Sequence, residues 1–218
     1  MNRFVIVGLG NFGSAVAEKL HTKGHEVISI DLDEDAVDRI APLVDIAAVG
    51  DGREVELLRR IGADDADAAV ISTGDDIAAS ILATLAMRDI GIPEVYVKVI
   101  SHDHSRVLDK LGVTETIFPE RESGFRLATR IANRGILNYV SLGSDFGVQE
   151  MAVPDNWIGH SLRELALPRT HGISVLAVHD VLQDRMMPIP DPDAPLKESD
   201  TLLVAGLDDN LTRAVRVR

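Results

Sequence analysis

Six short apolar runs alternate with stretches of helical periodicity over the first 118 residues, and nothing else in the chain constrains its fold as strongly. The runs are residues 3–7 (RFVIV), 26–30 (EVISI), 46–49 (IAAV), 68–72 (AAVIS), 94–100 (EVYVKVI) and 115–118. Between them, residues 14–22, 34–41, 54–61, 76–90 and 104–111 carry helical spacing, with Gly62 just past one helix end and Gly91 and Pro93 closing another. Strands that are apolar at nearly every position are buried on both faces, and regular alternation with helices supplies the covering layers. The fold class is therefore α/β, with a Rossmann-like doubly wound parallel sheet.

The rhythm changes after Pro119. A helix is expected over 121–134, with an apolar stripe through Phe125, Ala128, Ile131 and Ala132. Arg126, Arg130 and Arg134 recur at four-residue spacing, as a solvated face or as a contact row for acidic groups on a second subunit. Strands are expected at 147–153, 173–179 and 201–205, and a short helix at 161–165. Pro188, Pro190, Pro192 and Pro195 force an extended loop before the last strand. We read residues 1–136 as a nucleotide-binding domain including a crossover helix, and 137–218 as a small α+β C-terminal domain.

The first run ends directly on Gly8-Leu9-Gly10-Asn11-Phe12-Gly13, a G-x-G-x-x-G pattern between a strand and a helix. Gly8 allows the tight turn, Gly10 lets the backbone approach a phosphate, and Gly13 lets the helix pack on the strand. The helix N-terminus adds free N–H groups and partial positive charge. Asp31 closes the second strand, where a carboxylate accepts both ribose hydroxyls and repels a 2′-phosphate, which disfavours NADP. Other strand ends face the same crevice: Gly50-Asp51-Gly52, and Thr73-Gly74-Asp75-Asp76. Each serves either as a ligand contact or as ordinary loop and helix-cap chemistry. Lys98 interrupts an apolar strand, so it reaches a ligand or carboxylate, or the strand lies at a sheet edge.

Net charge is −13, which argues against nucleic acid and against a polybasic lipid anchor. The absence of cysteine removes disulfides, thiol nucleophiles and thiolate metal sites. No run approaches the ~18 apolar residues of a membrane-spanning helix, and no signal segment precedes the first strand, so a soluble cytoplasmic chain is expected. Catalysis beside a nicotinamide needs a positioned acid or base. His102, His104, His160, His171 and His179 form no recognisable constellation, and His102 and His104 read as a polar helix start rather than a metal pair. A ligand site without evident chemistry points to a sensor, not an enzyme; an NAD-dependent oxidoreductase is the alternative.

At this point the residues resemble a known family. VIVGLGNFGSAVAEKLHTKGHEVISIDLDEDAVDRI is similar to the opening of an RCK domain (regulator of potassium conductance). GDGREVELLRRIGADDADAAVISTGDD and PERESG resemble the segments that follow, the latter opening the crossover helix. IGHSLRELALPRTHGISVLAVH and KESDTLLVAG resemble the family's C-terminal domain. The similarity is closest to the cytosolic regulatory subunits of Trk/Ktr-type potassium uptake systems.

The resemblance implies dimers through the crossover helix, and rings, commonly of eight N-terminal domains, beneath a membrane-embedded potassium transporter at the inner face of the membrane. It implies ATP, ADP or NAD(H) in each N-terminal domain, with nucleotide exchange changing ring shape and gating the pore. By position, Gly8, Gly10, Asn11, Phe12 and Gly13 form the phosphate loop, Asp31 holds the ribose, and Leu32 lies near the adenosine. Asp51 and Gly52 flank the adenine, while Thr73, Gly74 and Asp75 lie beside ribose and phosphate. Lys98 is at a strand end, and Glu120 is at the dimer interface near the phosphates and a divalent cation. ATP-gated members often carry Arg where this chain has Asn11, so ADP or NAD(H) gains ground, and Asn11 either caps the helix or bonds a phosphate oxygen. In some relatives the C-terminal domains bind cyclic di-AMP; Arg169, with the stretch to Val178 and the Pro188–Pro190 turn, covers the matching region, which also reads as a plain packing interface.

Overall fold

The computed structural model describes residues 1–132, 136–142 and 145–215. The chain divides into two compact units, Met1–Glu120 and Arg121–Arg218. In the first, the strands are β1 (Arg3–Val7), β2 (Glu26–Asp31), β3 (Ile46–Val49), β4 (Ala68–Ile71), β5 (Glu94–Lys98) and β6 (Glu115–Ile117). All pair in parallel, in the order β3-β2-β1-β4-β5-β6. The order reverses between β1 and β4, which opens a crevice beyond their carboxyl ends.

The period-two pleat sorts the strand residues onto two cores. Val5, Val7, Ile28, Ile30, Ile71, Val95 and Val97 pack with Leu57 and Leu58 of α3 (Val55–Arg60), Ala83 and Met87 of α4 (Ile77–Asp89), and Leu108 of α5 (His102–Lys110). Ile6, Val27 and Val70 point the other way, onto Ala17 of α1 (Asn11–Thr22) and Val37 and Ile40 of α2 (Glu34–Ile40). Gly62, in the left-handed region at φ 77°, closes α3 as its position suggests.

Three readings need correction here. β5 stops at Lys98 rather than at residue 100, so Lys98 ends the strand instead of interrupting it. β5 is an interior strand, between β4 and β6, so an edge position does not explain the lysine. Gly10, not Asn11, is the N-cap of α1, and Asn11 is its first helical residue.

The helix α6 (Pro119–Ala132) starts two residues earlier than the sequence reading places it. Phe125, Leu127 and Ile131 on it are exposed. Arg126 donates to the Ser123 hydroxyl at 3.1 Å. Arg134, the last member of the arginine row, lies outside the described residues, as do the side chains of Arg130 and Ala132.

In the second unit, described residues form an antiparallel sheet in the order β10-β9-β11-β8-β7. Its strands are β7 (Ile136–Ser141), β8 (Phe146–Ala152), β9 (Ile173–Asp180), β10 (Arg185–Met187) and β11 (Asp200–Leu207). The short α7 (Leu162–Leu165) begins with a capping box, in which the Glu164 amide donates to the Ser161 hydroxyl and the Ser161 amide donates back to the Glu164 carboxylate. Trp157, Leu167, Leu202 and Leu211 centre the core, closed by α8 (Leu167–Thr170) and α9 (Asp208–Val215). β7, β10, α8 and α9 lie outside the elements read from the sequence. Among the described residues no helix is long and apolar enough to cross a membrane.

Candidate nucleotide site

The turn after β1 is fixed by contacts that leave no room for side chains at two of its glycines. Gly8 has φ 92°, and a Cβ there would lie 2.1 Å from the Ser72 carbonyl oxygen. A Cβ on Gly13 would lie 1.9 Å from the Gly8 carbonyl oxygen, so this glycine sets how closely α1 approaches the turn. Gly10 is different. Its φ of −67° suits any residue, and nothing in the protein lies within 4 Å of the position a Cβ would take. The space over Gly10 is open, and it faces the first amides of α1, which have no intrahelical acceptor. That fits a phosphate seated on the turn.

Asp31 ends β2 beside this turn. Its Oδ2 accepts from the Leu9 amide at 2.5 Å and its Oδ1 from the Asp33 amide at 2.9 Å. A carboxylate offers about four acceptor sites, so these bonds orient Asp31 and leave lone pairs for ribose hydroxyls. The Gly50 amide donates to the Asp31 carbonyl at 2.8 Å, and Val49 is the register partner of Asp31 on β3. Leu32 (67 % exposed) and Val49 (51 % exposed) therefore present apolar surface on the β3 side of the carboxylate. A base attached to a ribose at Asp31 would meet apolar surface there. The sequence does not single out Val49, because a strand residue of this type reads as core; its exposure comes from β3 being the outer strand.

The loop after β3 folds back across the sheet. A Cβ on Gly52 would lie 2.3 Å from Cγ1 of Val7, the last residue of β1. Asp51 accepts from the Arg53 amide at 2.9 Å, and its two oxygens grip the Arg53 guanidinium through Nε at 2.8 and 2.9 Å and Nη2 at 2.5 Å. These hydrogen bonds hold the Asp51 carboxyl below the usual carboxylate range. Arg53 is missed by motif reading, since nothing in G-D-G marks the next residue. After β4, Asp76 is the N-cap of α4, its carboxylate accepting from the Ala79 amide at 2.8 Å. Thr73, Gly74 and Asp75 lie in the connecting turn, where the Thr73 hydroxyl reaches the Asp76 carbonyl at 3.3 Å.

At the end of β5, the Lys98 ammonium lies 2.6 Å from the Glu120 carboxylate in the first turn of α6. The Lys98 side chain is 15 % exposed, so this pairing satisfies a mostly buried charge. The hydrogen bond from Lys98 depresses the Glu120 carboxyl below its ordinary value. The geometry thus gathers the β1 turn, Asp31, the Asp51 loop, the Thr73–Asp75 turn and Lys98 along the carboxyl edge of one parallel sheet. Glu120 reaches that edge through Lys98. Among the described residues no group of three histidine or acidic side chains could hold a metal ion. A divalent cation at Glu120 would need further ligands from a phosphate or another chain.

The five histidines singled out in the sequence each have a structural contact. His104 is buried, with Nε2 3.2 Å from the Ser80 hydroxyl. His102 begins α5 and packs its ring against Phe118 at 5.4 Å. His171 meets Trp157 edge-on, and His160 lies 3.6 Å from Glu164. His179 lies between Glu150 and Asp184.

Comparison with known proteins places the chain in a family. Residues 4–119 match the TrkA-N domain and residues 148–217 the TrkA-C domain. The chain is 33% identical over 214 residues to the Ktr system potassium uptake protein A of Vibrio alginolyticus, covering 98% of this chain and 96% of that protein. It is 28% identical to the Bacillus subtilis (strain 168) Ktr system potassium uptake protein A, over 97% of this chain and 94% of the other. Among solved structures, the GsuK RCK domain aligns with all of this chain at TM-score 0.53 and 22% identity, and the GsuK channel bound to NAD at TM-score 0.54 and 20% identity. The chain spans 47% and 39% of those two chains, so the likeness establishes the fold alone. The chain belongs to the family of TrkA-N and TrkA-C domain proteins that includes the Ktr and Trk potassium uptake proteins.

Proposed function

We propose that this chain is a cytoplasmic, nucleotide-sensing regulatory subunit that gates a membrane-embedded potassium transporter through a ligand-dependent change in ring conformation. The observation that carries the nucleotide part is the open space over Gly10 between a glycine turn and the oriented Asp31 carboxylate. The potassium part rests on the near full-length relatives, named as potassium uptake proteins. Gly8, Gly10, Asn11, Phe12 and Gly13 cradle the phosphates, with Asn11 offering its amide to a phosphate oxygen. Asp31 holds the ribose, and Leu32, Asp51 and Gly52 face the base. Thr73, Gly74, Asp75 and Lys98 border the phosphate side, with Glu120 positioning Lys98. The ligand is ATP, ADP or NAD(H), without a 2′-phosphate. A solved neighbour of the same fold is described as bound to NAD and another as bound to ADP.

Gating requires that the nucleotide bind two ring states with different affinity. Apolar faces suited to assembly are present. Ile77, Leu82 and Leu85 lie exposed along α4, and Phe125 and Ile131 along α6. We assign α6 to the dimer contact, and dimers to an octameric ring beneath the transporter. In the second unit, a polar cleft of about 300 Å³ is lined by Thr170, His171, Gly172, Asn210 and Arg213. It overlaps the stretch from Arg169 to Val178, to which, with the Pro188–Pro190 turn, we assign cyclic di-AMP at an interface between two C-terminal domains. This protein carries no catalytic role in this scheme. The test is thermal unfolding of the full chain with ADP, ATP, NADH and NADPH: stabilisation by the first three but not by NADPH is expected, and turnover of NADH with a small substrate would contradict it.

A further inference from the structure

The crevice at the carboxyl edge of the sheet is acidic. Asp31, Asp33, Asp51, Asp75 and Asp76 all lie in or beside the loops after β2, β3 and β4. The turn after β1 carries no charged side chain at all. A polyphosphate seated over Gly10 therefore enters a field of carboxylates, which the helix dipole and backbone amides of the turn offset in part. Among the loops that follow β1 to β4, one residue is cationic, Arg53.

Its placement is specific. The loop that carries it does not stay at β3 but runs back over the end of β1, with Gly52 against Val7, the residue before Gly8. The guanidinium is held by Asp51 in a fork, so its plane and position are set before any ligand arrives. It stays protonated, first through the hydrogen bonds it donates to Asp51 and then through the fields of Asp51 and of Asp76. The side chain is 40 % exposed even so, against 20 % for its carboxylate partner, and the fork uses only the Nε hydrogen and one Nη2 hydrogen of the five guanidinium N–H donors. Structural support of the loop alone would need less, because the Asp51 carboxylate already closes its own turn on the Arg53 amide.

We propose that Arg53 is the charge-reading residue of the nucleotide site, donating from its outward N–H groups to the phosphoryl tail. This inference rests on the placement of a nucleotide over Gly10 and names how that site distinguishes one phosphate from two or three. Asp51 acts as the positioning residue for Arg53.

The test is calorimetric titration of the full chain with adenosine, AMP and ADP, for the wild type, Arg53→Gln and Arg53→Lys, with thermal unfolding of each unliganded protein as the folding control. Arg53→Gln is expected to bind adenosine within about twofold of the wild type but ADP about tenfold more weakly, the loss expected for one charge-assisted hydrogen-bonded contact. Arg53→Lys, which keeps the charge, should lose less for ADP than Arg53→Gln. Equal losses for adenosine and ADP would place Arg53 against base or ribose, or make it a scaffold residue, and would overturn the proposal. A wild type that binds none of the three would overturn the nucleotide site itself and Arg53's role with it.

Discussion

At the scale of single residues, the glycine turn separates two reasons for being glycine. Gly8 and Gly13 are required by the protein, because a Cβ at either would meet a backbone carbonyl. Gly10 is required by nothing in the protein. Gly13→Ala should therefore cost about 1–3 kcal/mol of stability as overpacking against backbone. Gly10→Ala should change stability by less than about 1 kcal/mol, the scale of an N-cap change, while abolishing nucleotide-induced stabilisation. Thermal unfolding with and without ADP reads both. Asp31 pins the Leu9 and Asp33 amides in the structure, and in the proposed site it also holds the ribose. Asp31→Ala is expected to lose nucleotide stabilisation and also about 1–3 kcal/mol of stability through those unpaired amides. The pattern G-x-G-x-x-G with Asp31 was legible from residue types alone, since each part answers a steric or electrostatic need. Arg53 and Val49 were not, because their roles depend on where a loop and an outer strand run in space.

At the scale of elements, the strands and helices of the first unit are legible in the sequence nearly one for one, because near-continuous apolar strands and capped helices leave few other arrangements. The second unit is less legible. β10 (Arg185–Met187) has three residues and no apolar alternation, and the apolar side of the short α9 rests on Leu211, Ala214 and Val215. α8 follows Ala166 in the left-handed region at φ 45°, a conformation no residue type there announces. Two predictions belong at this scale. The exposed stripe of α6 should bury itself against another copy, so Phe125→Asp with Ile131→Asp should convert oligomer to monomer, read by size exclusion with light scattering. The α4–α5 contact carries the buried His104, whose burial lowers its pKa. The folded protein thus resists protonation that the unfolded chain accepts, and stability falls as pH drops below about 6.5, the unperturbed histidine value. His104→Gln should flatten that decline in melting temperature between pH 7.5 and 5.5; an unchanged decline would assign the acid sensitivity elsewhere.

At the scale of the whole molecule, a candidate nucleotide site in the first unit, apolar faces on α4 and α6 and membership of a family that includes potassium uptake proteins meet in one chain. No single part states a gating role; it follows only if nucleotide occupancy and assembly are coupled. The most direct measurement is potassium flux into proteoliposomes holding the transporter's membrane subunit, with this chain added under ADP, ATP or NADH. The chain is expected to change flux in a nucleotide-dependent way, and Gly10→Ala, folded and assembled, to abolish that dependence. Flux that is the same with and without the chain under every nucleotide would contradict the gating role.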